Sequence, residues 1–573
     1  MIELPSGEKE LLPVVEELIE TCRISQGMRA AYYRLLNTIA ETGRYDGQKS
    51  LINMMNAHLE RTQSHLFSPV ELRFAIDYDN EYSPEVVKKG NVAAKHLTRQ
   101  WERTSTDAMF GQGVYEGLKY GGALLKQWTK NDGTEEKPRI TYEKRLVMPW
   151  NFGVYREDEN DIDNQEALCE TSFLTGPEVW RRIYNLPNAR KLYDQIMANA
   201  KSNEMGSGPD SFFHQVLSTS QINTGVQGAT RPLPGGIVQL NNDPNYAIMG
   251  PTVGAPVVKF HELWVKGEDD YKTIQVVDPN ILVTRFKLSN LFIKGSRLQP
   301  YTLIQPNPVT NWFWGRSELV DLIEPQALLS QWADDIKRLF GLQIDKVLAF
   351  TGDNTITDEL YAQFRAAGFV NLGQGGKTED LTPKMPDKAL DMLKFCIEMI
   401  NTLGSFPEIM QGKGESGVRA GVHANTLLKT ASPTLRDRAL LIERQCAVAA
   451  DRTMTLMEAK EDRKFWVDPA KMEDNFMLTD LPEDWRVTVD SHSSSPIFSD
   501  ETTQLLFALR KAGDIDGEFM IDNTPVPNKE TAKAQLRERK KQGMEVQKAL
   551  LGQLSPEGKD KAIEKMLGGH GKH

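Results

Sequence analysis

At 573 residues the chain exceeds what one hydrophobic core usually organises, so roughly two to four structural regions are expected. Apolar residues at 40% and charged residues at 26% are ordinary globular values, which exclude a disordered, collagen-like or disulfide-scaffold chain. A net charge of -11 argues against a surface that grips nucleic acid everywhere, since such binding needs Lys and Arg on phosphates, although an acidic wall with a few cations suits the sliding of a polyanion.

Met1 to Glu10 carries neither the basic start nor the apolar run of a signal peptide, so export is not expected. No window approaches the roughly 20 apolar residues of a membrane-spanning helix, since Val347-Leu348-Ala349-Phe350 is fenced by Asp345, Lys346 and Asp353. No membrane partner is expected. Cys22, Cys169, Cys396 and Cys446 lie far apart, form no Cys-x-x-Cys pair, and read as buried, reduced thiols.

From Glu8 to His65 the apolar positions Leu11, Val14, Val15, Leu18 and Ile19, then Leu35, Leu36 and Ile39, recur at helical spacing, with Gly43 and Gly47 as breaks. Pro84 to Tyr120 predicts more helix. Ala123 to Trp128 and Arg139 to Tyr142 then flank Asn131-Asp132-Gly133, a hairpin signal. Glu157 to Asp163 is acidic enough to suggest Ca²⁺, but it lacks the EF-hand's sixth-position Gly and closing Glu and reads as a solvated loop. Residues 201–236, rich in Gly, Ser, Asn, Thr and Pro, read as a long flexible loop. Strands are predicted at Val257–Phe260, Thr273–Val277 and Ile281–Phe286, and the mixed region closes near Pro308.

An aromatic stretch, Trp312-Phe313-Trp314, leads into a predicted helix with Ser317 as its N-cap. Its apolar stripe includes Leu328, Leu329, Trp332 and Ile336, and Pro325 is expected to kink or restart it. A short α/β piece runs from Gly341 to Pro386, and a second helix from Asp387 to Leu403 carries Leu390, Leu393, Ile397 and Ile400 on one face. Gly404 to Gly421 is glycine-rich, with Lys413 and Arg419 among Gly412, Gly414 and Gly417. A long helix from about 422 to 460 contains Pro433, which is expected to kink it. Residues 529–573 hold eleven Lys and Arg against six Asp and Glu, so this tail is basic in an acidic chain.

Catalytic signatures are weak. Gly373 to Thr378 ends like a phosphate-cradling loop, but the full spacing needs Gly at position 371, where Asn371 stands, and Glu379 to Pro383 does not start a helix; a flexible turn is the better reading. His58 and His65 share a helical face without carboxylate or Cys companions in sequence and read as packed or solvated histidines. Ser491-His492-Ser493 is a loop rather than a triad. No enzyme activity, cofactor or metal is expected.

The order of elements from Trp312 to Met457 resembles the core of tailed-bacteriophage portal proteins, over roughly 145 residues: a Gly-x-Ser-led stem helix with Gln326 and Gln331, a small module, a second stem helix, a Gly-rich loop and a long kinked helix. The resemblance implies a portal-like α+β fold: N-terminal helices and wing over 1–311, first stem helix 312–340, clip 341–386, second stem helix 387–404, tunnel loop 405–421, kinked helix and wing return 422–498, and helical crown 499–573. It implies a dodecameric ring at one capsid vertex, assembled in the host cytoplasm, that conducts double-stranded DNA in packaging and ejection. Its implied partners are the terminase large subunit, head-to-tail adaptor and tail proteins, and major capsid and scaffolding proteins. Leu328, Leu329, Trp332 and Ile336 would then face a neighbouring subunit, Lys413 and Arg419 would face the channel, and Pro433 would bend the tunnel helix. The 201–236 stretch departs from the portal pattern. An adaptor or scaffold binding protein alone, and an enzyme with an unrecognised site, are the alternative classes.

Overall fold

The computed structural model describes, within residues 1–489, all but the segments 132–139, 203–255, 345–347, 352–376, 405–432 and 468–474 and some single or paired positions; beyond residue 489 it describes chiefly residues 506–522. Five helices dominate the first 120 residues: α1 (Glu8–Met28), α2 (Ala30–Thr42), α3 (Met55–Leu66), α4 (Pro84–Thr104) and α5 (Thr106–Tyr120), with strand β1 (Phe74–Tyr78) before α4. Strands β2 (Ala123–Asn131), β3 (Ile140–Val147), β4 (Phe152–Val154) and β5 (Ala167–Thr175) follow, then α6 (Gly176–Ile183) and α7 (Ala189–Ala198). The sheet region continues with β6 (Lys201–Ser202), β7 (Pro256–Lys266), β8 (Tyr271–Val277), β9 (Ile281–Leu288), β10 (Leu291–Ile293), β11 (Ser296–Leu298) and β12 (Tyr301–Ile304). Helix α8 (Ile323–Ile344), strands β13 (Leu348–Thr351) and β14 (Lys377–Asp380), and helices α9 (Ala389–Leu403) and α10 (Pro433–Lys460) come next. Short strands β15 (Phe465–Trp466), β16 (Asn475–Phe476) and β17 (Trp485–Val489) precede α11 (Gly517–Asp522).

The architecture is α+β. Strands β4-β5-β7-β8-β9 form an antiparallel sheet, with β6 added beside β7, and β12-β2-β3 form a second. Side chains alternate between sheet faces, and the sequence uses both. Ala167, Cys169, Leu263 and Val265 face the Leu11, Val15, Leu18, Ile19 and Cys22 stripe of α1. Leu168 and Trp264 face the other way and meet Leu124, Val147, Tyr301, Phe313 and Trp314. Because β5 is covered on both sides it shows no alternation of polarity, which is why the sequence did not announce it. α1 crosses β4 so closely that a Cβ on Gly153 would lie 2.4 Å from the Cys22 carbonyl oxygen, so only glycine fits there.

The largest core is helical. Leu435, Ala439, Ile442, Cys446, Ala449, Ala450, Met454 and Met457 of α10 are buried among α2 to α5 and the inner ends of α8 and α9. The chain therefore returns after residue 433 to the region it began with, and β17 pairs antiparallel with β1. All four cysteines are free and buried, as expected.

Several sequence expectations shift in detail. Among the described residues the β2–β3 register runs as far as Asn131↔Ile140, which places Asn131 in the strand; Asp132 and Gly133 of the expected turn lie outside the described residues. Helix α8 starts at Ile323 rather than at Ser317: Pro325 sits in the first turn, where its missing N–H costs no intrahelical bond, so the proline restarts the helix. Ser317 instead accepts from the Leu319 amide at 3.2 Å and donates to the Lys119 carbonyl at 2.6 Å. The 157–163 loop is not simply solvated, because Asp163 accepts from buried Arg452 at 2.7 Å and Glu157 pairs with Arg29. Pro433 is the first described residue of α10, and the residues that would lie on the far side of a kink fall outside the described ones.

Candidate assembly surface on the α8–α9 pair

A cluster of polar groups around the first turns of α8 holds that helix to the body. The Gln326 side chain is fully buried: its amide donates to the Ile52 carbonyl at 2.8 Å and to Ser330 Oγ at 3.0 Å, while its oxygen accepts from the Met54 amide at 3.0 Å. Ser330 Oγ donates onward to the Gly43 carbonyl at 3.1 Å, and Arg44 pairs with Asp334. Gly43 ends α2 at φ +75°, a left-handed conformation that glycine adopts freely and that turns the chain towards these partners.

Just before α8, Glu318 accepts from Arg438 Nη1 at 2.9 Å and Asn307 Nδ2 at 2.9 Å and lies 3.4 Å from His58 Nε2. Burial pushes its carboxyl up, but the hydrogen bond from His58, the charges of Arg438 and His58, and the Asn307 bond outweigh it and hold the carboxyl at about 2. Gly404, at the end of α9, packs on the ring of the same His58. α9 therefore ends where α8 begins, the two helices are antiparallel, and β13–β14 follows at their far ends. His58 is thus a packed histidine; His65 lies near the end of the same helix.

The predicted stripe resolves into two faces, because residues 328 and 329 are about 100° apart around a helix. Along the inner face exposure climbs from Leu329 at 0%, Ala333 at 2% and Ile336 at 6% to Phe340 at 47% and Ile344 at 82%. Leu329 and Ile336, expected at a subunit interface, are interior residues of this chain. Leu328 is exposed on the lateral face, and Trp332 is half-buried against the core. α9 is seven residues shorter than α8 (15 against 22), so the outer end of α8 outruns it by about 10 Å and is not covered by α9. On α9, Leu390, Phe395 and Leu403 are exposed; Leu390 and Phe395 are five residues apart and so point about 140° apart, to different flanks.

Gly412, Lys413, Gly414, Gly417 and Arg419 lie outside the described residues, as do 203–255 and Ser491 to Ser495. Lys377 opens strand β14, paired with Thr351, and is not followed by the helix that a phosphate-cradling loop requires. Among the described residues no group of three or more His, Cys, Asp or Glu is arranged to hold a metal, and no helix is long and apolar enough to cross a membrane.

Sequence reasoning missed the charged pairs of the interior. Lys126 is buried with its ammonium 2.8 Å from Glu170 and 2.7 Å from Glu262, which sit on the facing sheet. Burial drives Lys126 down to about 8, against the pull of Glu262; Glu262 is itself held at about 2, its own burial being outweighed by Lys126 and Arg182. A lysine set in Leu124-Leu125-Lys126-Gln127-Trp128, and an arginine in Ala449-Ala450-Asp451-Arg452, were the available signals: charge inside an apolar run implies a buried partner.

No protein-family model matches the chain, and no curated protein matches it.

Proposed function

We propose that this chain is a ring-forming structural subunit that associates head to tail through the flanks of the α8–α9 pair. Within that class the reading is a portal protein of a tailed bacteriophage, with a portal-like fold. Its ring at one capsid vertex serves as the channel for double-stranded DNA in packaging and ejection. It also docks the terminase large subunit and the adaptor and tail proteins. The observation that carries this is the set of large apolar side chains left exposed on more than one side of the pair. A closed ring needs two different complementary patches per subunit, whereas a two-fold dimer needs one self-complementary patch. Each covered Leu or Phe would contribute about 1–2 kcal/mol, given that these side chains are already half covered.

The order of elements supports the same reading: α8 and α9 run out and back with a β-pair between them, and α10 then re-enters the body. Catalysis has no part in it, and Lys377→Ala should leave packaging intact. The test is the particle formed by the purified chain. Negative-stain microscopy and mass photometry should show rings with an axial hole. The variant Leu328→Glu with Phe395→Glu should remain folded by circular dichroism yet monomeric; it is a cleaner probe than Trp332→Glu, because Trp332 also packs in the core. Closed two-fold dimers, or undiminished rings from the double variant, would overturn the proposal.

A further inference from the structure

Helix α4 carries an outward stripe of cations in an acidic protein. Lys88, Lys95, Arg99 and Arg103 are exposed and fall within about 80° of one another around the helix, over about 22 Å of its length. At its C-terminal half the stripe opens into a cleft of about 200 Å³ between α4 and the chain leaving α10, lined by His96, Arg99, Gln100, Glu102, Arg103 and Arg463. Three guanidiniums line it beside one carboxylate, Glu102, with Glu461 behind His96 as a second acidic neighbour of Arg463, and neither Arg99 nor Arg103 forms an ion pair among the described residues.

The cleft is built rather than incidental. His96 Nε2 lies 3.0 Å from Glu461 Oε2, and Tyr142 donates to Glu461 Oε1 at 2.6 Å, so the residue just past α10 is pinned to both α4 and β3. Two residues further on, the Arg463 guanidinium lies 5.7 Å from the Phe465 ring centroid, and the Phe465 ring meets the His96 ring in a tilted contact with centroids 4.8 Å apart. Buried Phe465 therefore anchors the backbone beside Arg463, whose side chain lines the cleft together with Arg99 and Arg103. Planar guanidiniums match phosphate oxygens with paired hydrogen bonds and stay charged at every working pH.

We infer that this cleft, with the α4 stripe leading to it, binds the phosphate groups of a nucleic-acid backbone. A single anion would need only the cleft. The stripe continues past it for a length spanning several phosphates, which favours a polymer. The site involves neither the α8–α9 flanks nor ring formation, so a chain that stayed monomeric would still show it.

The test uses the full-length chain and a fluorescent 30-base-pair duplex of arbitrary sequence, titrated by anisotropy across a salt series. Arg99→Ala with Arg103→Ala and Arg463→Ala, all at exposed positions, should weaken binding about tenfold or more and lower the slope of log K against log salt by about 2–3. Arg190→Ala with Lys191→Ala, on α7, should change affinity less than about twofold. In a second measurement the duplex should protect Arg99, Arg103 and Arg463 from an arginine-specific dicarbonyl. Equal weakening by both variants, or wild-type affinity in the triple variant without protection, would refute the site. Protection by inorganic phosphate as complete as that by duplex, at equal phosphate concentration, would overturn the nucleic-acid assignment.

Discussion

The two ends of α8 carry the same kind of side chain on the same face and meet opposite surroundings. At the inner end Leu329, Ala333 and Ile336 lie under α9 and the helical core, and Gln326 and Ser330 tie the backbone of the α2–α3 connection to the helix. At the outer end Phe340 and Ile344 continue the seam but are 47% and 82% exposed. Apolar periodicity thus says where a helix wants cover, while the length of its neighbour decides whether this chain supplies it. The inner end stabilises the subunit, and the outer end is where the proposed assembly would seat a second subunit.

The largest expected effect is at the inner end: Leu329→Ala should cost about 3 kcal/mol by opening a cavity in packed core, read as a lowered urea midpoint. A loss below about 1 kcal/mol would mean that the inner seam is not core.

Acid should separate the body from the outer end next. Glu262 and Glu318 have folded carboxyls near 2 against an ordinary 4.5, so the stability they contribute is complete above about pH 4.5 and is lost as pH falls towards 2. Glu318→Gln should flatten this acid limb by on the order of 2–3 kcal/mol in urea titrations at a series of pH values, and an unchanged slope would exclude Glu318 as a source of the acid sensitivity.

A third, similar effect sharpens the role of the polar clamp. Gln326→Ala leaves the Met54 amide and the Ile52 carbonyl without their buried partner and should cost about 2 kcal/mol, with hydrogen exchange rising in residues 43–54. Exchange that stays slow there would show that the loop is held without Gln326.

The smallest effect on the subunit should accompany the clearest effect on assembly. Phe340→Ser with Ile344→Ser removes no intrachain core and should alter unfolding by less than about 0.5 kcal/mol per site. The ring fraction in mass photometry should nevertheless fall. Subunit destabilisation comparable with Leu329→Ala would erase the distinction between the two ends.

Much of the fold was legible. The α1 and α2 stripes, the helix over 84–120, the glycine break at Gly43, the strands beginning near Val257, Thr273 and Ile281, and a kink or restart at Pro325 all follow from local periodicity and backbone chemistry. The candidate surface was legible only as a stripe: the sequence grouped Leu328 with Leu329, and the structure sends one outward and the other into the core.

By itself, the sequence determined many of the helices and strands, though not β5, α6 or α7, and several of their apolar faces, because those depend on neighbours within a turn or a pleat. Only the tertiary structure decided the partners. Arg452 reaches Asp163 from 289 residues away, and Lys126 meets Glu262 across two sheets from 136 residues away. β5 disappears between two layers, and α9 stops short of covering the end of α8. Local chemistry fixes what a side chain needs, but chain topology and the lengths of packed elements fix whether that need is met inside the chain or left for a partner.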